Sequence, residues 1–149
     1  MIRQFLMAGI VPASFCVANP IGYSEAGANV AMMGTYARYG ILQEINGFTL
    51  DTAVNLNTSF LHIAGVSFST AIYKNFDGWR VGPEFRTGLA TYQYKKPFVY
   101  MSYAVRGVFD LNETWSATSS LGFHPAPQVL KDMGSNAWPI YSLGLQRRF

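Results

Sequence analysis

The amino-acid sequence predicts an all-β fold, an antiparallel up-and-down transmembrane β-barrel of eight strands, on three observations. The first is composition. Of 149 residues, 50% are hydrophobic and only 13% charged, where soluble domains average about 25% charged. No stretch approaches the ~20 consecutive apolar residues of a membrane helix, so the apolar surplus is spread along the chain. The 11 Phe, 9 Tyr, 3 Trp and 14 Gly suit pleated strands and tight turns better than helix interiors. The second observation is a period-two alternation of apolar residues after residue 26, the signature of strands. The third is the chemistry of the polar face of that alternation, which is small rather than solvated.

Taken in order, residues 1–18 read as a secretory signal. They carry a short basic start with Arg3, an apolar run from Phe5 to Val11, and small Cys16 and Ala18 at the −3 and −1 positions before Asn19. Residues 19–149 then form a single barrel domain. Within it, strands are expected at about 28–38, 47–56, 59–74, 79–94, 98–111, 114–124 and 138–149. A single-chain bacterial barrel needs an even number so that both ends lie on one side, so an eighth strand must precede residue 28, with residues 15–25 as the candidate.

The clearest strand runs from Trp79, with Val81, Pro83, Phe85, Thr87 and Leu89 on one face and Arg80, Gly82, Glu84, Arg86, Gly88 and Ala90 on the other. The next two repeat it: Val99, Met101, Tyr103, Val105 and Phe109 oppose Tyr100, Ser102, Ala104, Arg106 and Asp110, and Trp115, Ala117, Leu121 and Phe123 oppose Ser116, Thr118, Ser120 and His124. A soluble β-cup would turn its apolar face inward and favour long solvated side chains outside. Here the polar positions are mostly Gly, Ala, Ser and Thr with a few charges, which suits the crowded interior of a narrow barrel whose outer wall meets lipid. The tight turns Asn75-Phe76-Asp77-Gly78 and Asn112-Glu113 are each followed by a tryptophan, Trp79 or Trp115. With Phe85 and Phe123, these make the expected lipid-facing and interfacial residues. The connection from Pro125 to Asn136 reads as an external loop.

The chain ends in Tyr141-Ser142-Leu143-Gly144-Leu145-Gln146-Arg147-Arg148-Phe149. Alternating Tyr141, Leu143 and Leu145 before a C-terminal Phe149 resemble the terminal strand of bacterial outer-membrane β-barrels, with Arg147 standing where an apolar or aromatic residue is usual. The resemblance covers most of residues 28–149 and points to the small eight-stranded group. It implies a Gram-negative outer membrane as location, the barrel-assembly machinery as reader of those terminal residues, lipopolysaccharide and other outer-membrane lipid as surroundings, and a monomer.

Function is less constrained. Asp51, Arg80, Glu84, Arg86, Arg106 and Asp110 fall on the inner face and are expected to form an ion-pair network. That network serves either as a narrow pore or ligand site or, since eight strands leave an interior filled by side chains, as a plug. Small outer-membrane barrels include lipid A deacylases with a His-Ser pair and an acidic residue near the last two strands. The layout here is similar, with His124 at a strand end and Ser135 in the loop, and Asp132 is a possible orienting partner. However, Pro125 follows His124 where that family has its Ser, and Trp138, Pro139 and Ile140 leave no acidic residue early in the last strand. His62 alternates with Phe60, Ala64, Val66 and Phe68 on the outward face. Two histidines, one cysteine and dispersed carboxylates predict no metal site, no Gly-rich phosphate loop precedes a helix, and scattered arginines with a net charge of +3 argue against nucleic acid. No cofactor is expected. The sequence thus favours a structural or interaction barrel, with a deacylase-like hydrolase or a narrow solute channel as alternatives.

Overall fold

The structure, a computed structural model, describes residues 19–31, 33–59, 63–92, 96–125 and 137–149. Among these residues, eight strands carry the fold: β1 (Ile21–Asn29), β2 (Gly34–Ile45), β3 (Phe48–Ser59), β4 (Ile63–Phe76), β5 (Trp79–Tyr92), β6 (Lys96–Asp110), β7 (Trp115–Pro125) and β8 (Ala137–Arg148). Each strand pairs antiparallel with the next, and β1 closes on β8 from Tyr23 opposite Arg148 to Asn29 opposite Ser142. The result is a closed up-and-down barrel with no free edge.

The even strand number puts Ile21 and Arg148 on one rim. The short β2–β3, β4–β5 and β6–β7 connections share that rim. Asn46 and Gly47 both have positive φ, 48° and 81°, the geometry of a two-residue type I′ hairpin, which Asn-Gly adopts readily. Asp77-Gly78 closes β4–β5, again with Gly78 at positive φ. In the β6–β7 turn, Asn112 Oδ1 accepts from the backbone N–H groups of Thr114 and Trp115 at 2.9 and 2.8 Å, so the asparagine side chain substitutes for a backbone acceptor.

The expected strand at 28–38 divides between two strands: Asn29 ends β1, residues 30, 31 and 33 turn, and Gly34 begins β2, which continues to Ile45. The missing eighth strand is β1 at Ile21–Asn29, so the candidate at 15–25 overlaps it only from residue 21. Because β1 starts beyond Ala18, loss of residues 1–18 would leave each of the eight described strands whole. Those residues lie outside the described ones, as do His62, Asp132 and Ser135. The expected strand at 59–74 also divides, since Ser59 ends β3 and β4 runs from Ile63 to Phe76.

The wall is apolar outside. Val54, Leu56, Val66, Phe68, Ile72, Phe85, Leu89, Val99, Tyr103, Val105, Leu121, Leu143 and Leu145 all point outward and are exposed, as a hydrocarbon-facing surface requires. At the rim of the termini Phe76 stacks on Trp79, with ring centroids 4.3 Å apart, and Trp79 lies 6.2 Å from Phe109. Trp115 meets the Arg147 guanidinium at 5.9 Å. Amphipathic rings beside cations belong where hydrocarbon gives way to headgroups.

Phe85 lies near the middle of β5, against Tyr103 at 5.2 Å. An arginine at a barrel's midplane costs about 2–4 kcal/mol when it faces lipid. Refolded in detergent, the wild-type chain is expected to run as a compact band that shifts on boiling, and Phe85→Arg to lose or weaken that band. An unweakened band in the variant would take Phe85 off the lipid-facing wall.

Candidate functional site in the barrel lumen

Alternation sends the other half of each strand inward, and two features decide what fits there. Tyr23 stands directly opposite Gly40, and Tyr36 directly opposite Gly27. A Cβ at Gly40 would lie 2.6 Å from the Tyr23 ring, and one at Gly27 would lie 2.7 Å from the Tyr36 ring. Each ring therefore lies across its neighbour's glycine, shielding a backbone that lacks a side chain. Their hydroxyls are thereby held in the middle of the lumen.

Around those hydroxyls the buried charges form two connected groups. In the first, Arg38 pairs with Asp51 at 2.8 Å and with Glu84, and Glu84 also takes Arg86 at 2.8 Å. Tyr23 donates to Asp51 at 2.6 Å and accepts from Arg38 Nε at 2.6 Å, while Tyr73 donates to Asp51 at 2.8 Å. In the second group Arg106 pairs with Glu25, which also accepts from Tyr36 at 2.6 Å and Thr118 at 2.8 Å. Arg38 and Arg106 are fully buried. Three arginines face three carboxylates, so the central lumen is neutral, as it must be where an unpaired charge is costly. The groups draw side chains from β1 through β7. β8 supplies space instead, since a Cβ at Gly144 would crowd Thr118 Oγ1 and Glu25 Oε1.

Of the residues singled out in the sequence, Asp51, Glu84, Arg86 and Arg106 lie in this central network. Arg80 and Asp110 form a separate cluster at the rim of the termini. There Asp110 is 3.5 Å from Arg80, 3.4 Å from Arg148, and accepts from Ser116 at 2.7 Å. Glu25 and Arg38, together with Tyr23, Tyr36 and Tyr73, are network members the sequence reading missed. The spacings Tyr23-x-Glu25 and Tyr36-x-Arg38 were the available signal, each placing a ring and a charge on the same face of one strand.

Toward the other rim the lumen widens into a cavity of about 70 Å³ lined by Asn57, Arg86, Phe98, Tyr100 and His124 among others. His124 faces this cavity, its ring edge-on to Tyr100 at 5.6 Å. The structure therefore does not place His124 on the lipid side. Trp79, Phe85, Trp115 and Phe123 are exposed on the outer wall, as are Tyr141, Leu143 and Leu145 of β8. Phe149 N–H donates to the Gly22 carbonyl at 3.0 Å and its ring is largely exposed. Among the described residues no group of three or more His, Cys, Asp or Glu side chains converges on a metal-sized site.

No protein-family model matches the sequence, nor does any curated protein. Solved structures do match the fold. Neisserial surface protein A (NspA) superposes with a TM-score of 0.59 at 9% identity, covering 89% of this chain and 99% of that one. The N-terminal β-barrel domain of Pseudomonas aeruginosa OprF gives 0.52 at 14% identity, over 89% of this chain and 99% of that one. The fold is that of the small eight-stranded outer-membrane barrels. A de novo designed transmembrane β-barrel matches at 0.51 and 9% identity, over 87% of this chain and 94% of that one.

In a barrel of this kind, removing one member of a buried ion pair strands its partner, which costs about 3–5 kcal/mol. Arg38→Met, which leaves Asp51 without a cation and Glu84 with Arg86 alone, is expected to lower unfolding free energy by about that amount in urea titrations of the refolded protein. Replacing Glu25 and Arg106 together by glutamine should cost less than Arg106→Gln alone. A double variant no more stable than the single one would remove the pairing argument.

Proposed function

We propose that this chain is a non-catalytic barrel of the Gram-negative outer membrane, a structural and interaction protein whose filled lumen serves stability rather than transport. The observation that carries this reading is the neutral, hydrogen-bonded network of Arg38, Asp51, Glu84, Arg86, Glu25 and Arg106 across the middle of the lumen. A solute path through that level would have to part several charge-assisted hydrogen bonds at once. The similarity to a protein named as a neisserial surface protein supports the placement at a cell surface. In that orientation the rim bearing the termini faces the periplasm, and the connections of the opposite rim meet the outside.

The orientation of His124 counts against a deacylase. A lipid acyl chain reaches a barrel from its outer wall, whereas His124 shares the inward face with Ser120 and Gly122 and packs against Tyr100. Barrel-assembly machinery reading Tyr141, Leu143, Leu145 and Phe149, lipopolysaccharide surroundings and a monomeric state belong to the same proposal.

Two assays on the full chain test it. Reconstituted in planar bilayers, the protein is expected to give no discrete conductance steps, and cells producing it are expected to show lipid A of unchanged mass. Conductance that rises when Arg38 is replaced by methionine would be compatible with a plug, but steps of comparable size in the wild type would establish a channel. A loss of acyl mass from lipid A would establish a hydrolase.

A further inference from the structure

A cavity toward the rim opposite the termini lies beyond the network, and its described lining is one-sided. Among the described residues Arg86 contributes to that lining and no aspartate or glutamate does. The Arg86 side chain is about nine-tenths buried, and its ion pair is with a shared partner: Nη2 reaches Glu84 Oε2 at 2.8 Å, while the other oxygen of Glu84 is held by Arg38. Arg86 Nε has no hydrogen-bond partner among the described residues. Ser102, directly opposite Arg86 on β6, has an unpartnered Oγ, and His124 has an unpartnered Nδ1. Asn57 on the same wall donates to Tyr100 at 3.3 Å.

A buried guanidinium whose Nε–H has no partner, beside the unpartnered Ser102 Oγ and His124 Nδ1, is under-satisfied by the cost of desolvating that group. Such an N–H can donate one charge-assisted hydrogen bond to an oxygen of a carboxylate or phosphate while Nη2 stays on Glu84. We propose that this cavity is a binding site for a single oxyanion group, carboxylate or phosphate, seated on Arg86 and entering from the open rim. Any larger ligand would extend from that group past Asn57 and Tyr100, which share the lining. The site does not depend on conduction or on hydrolysis, and it stands or falls separately from the function proposed above.

The test is the arginine Nε–H spectrum of the full chain refolded in nonionic detergent, titrated with sodium phosphate and then sodium acetate against sodium chloride at constant ionic strength. One Nε–H resonance is expected to move saturably and to be missing from Arg86→Gln. Asn57→Asp, which adds a negative charge to the wall without touching the ion pairs, is expected to weaken the anion about tenfold or more, corresponding to about 1.4 kcal/mol. The same resonance already displaced in nanodiscs of phosphatidylglycerol, but not of phosphatidylcholine, would assign the oxyanion to lipid headgroups; displacement by added phosphate or acetate alone assigns it to soluble ligands. No saturable movement, or the same movement in Arg86→Gln, overturns the site. Should Arg86→Gln fail to give a boil-sensitive band, Asn57→Asp decides, and an unchanged affinity in that variant overturns it.

Discussion

The pairing of Tyr23–Asn29 with Ser142–Arg148 is the contact on which the rest of the molecule depends. Hydrocarbon offers no hydrogen bonds to a strand edge, so a β-structure spans a membrane only when its first and last strands meet. Closing eight strands fixes a bore that side chains fill. That narrowness then dictates the interior chemistry: a charge placed there finds no water, and it is tolerated only beside its opposite. Glu25, Asp51 and Glu84 against Arg38, Arg86 and Arg106 are therefore a consequence of closure as much as a contribution to it.

The outer wall cannot select one packing over another, because lipid tails are as apolar as the leucines and phenylalanines they touch. Specificity accordingly resides inside. Tyr23 and Tyr36 occupy the volume vacated by Gly40 and Gly27, and their hydroxyls fix the orientation of Asp51 and Glu25. A register shift of one residue on β1 would carry Glu25 into lipid and detach Arg106 from its partner.

The second half of the barrel was legible because its alternation has high contrast. In β5 large apolar residues from Trp79 to Leu89 oppose Arg80, Glu84 and Arg86, and turn residues bound the strand. The first half reverses that contrast. On β1 the outward residues are Ser24, Ala26 and Ala28 while the inward ones include Tyr23 and Glu25, so an apolar-out pattern disappears, and the expected strand at 28–38 runs across the break between β1 and β2. Asn46-Gly47 was a readable hairpin signal, and it would have closed β2 at Ile45. Of the candidate site, the charged positions with clean alternation could be read as inward, but not whom they meet. Glu25 pairs with Arg106 across 81 residues and Arg38 with Glu84 across 46, between strands that are not neighbours in the sheet, and periodicity along one strand carries no information about contacts across a bore.

The shared rim of Ile21 and Phe149 has a consequence for how the barrel can be joined to anything else. With the Phe149 N–H bonded to Gly22, the two ends of the strand circuit are adjacent, and a covalent extension at either end emerges into the same compartment as the two-residue hairpins. Fusion after Phe149 therefore leaves a passenger on the side of the two-residue hairpins. A passenger for the opposite compartment has to be inserted in one of the four connections of the other rim, and the adjacency of the ends means that a short linker joining them would allow the chain to be reopened there without changing a single strand pairing.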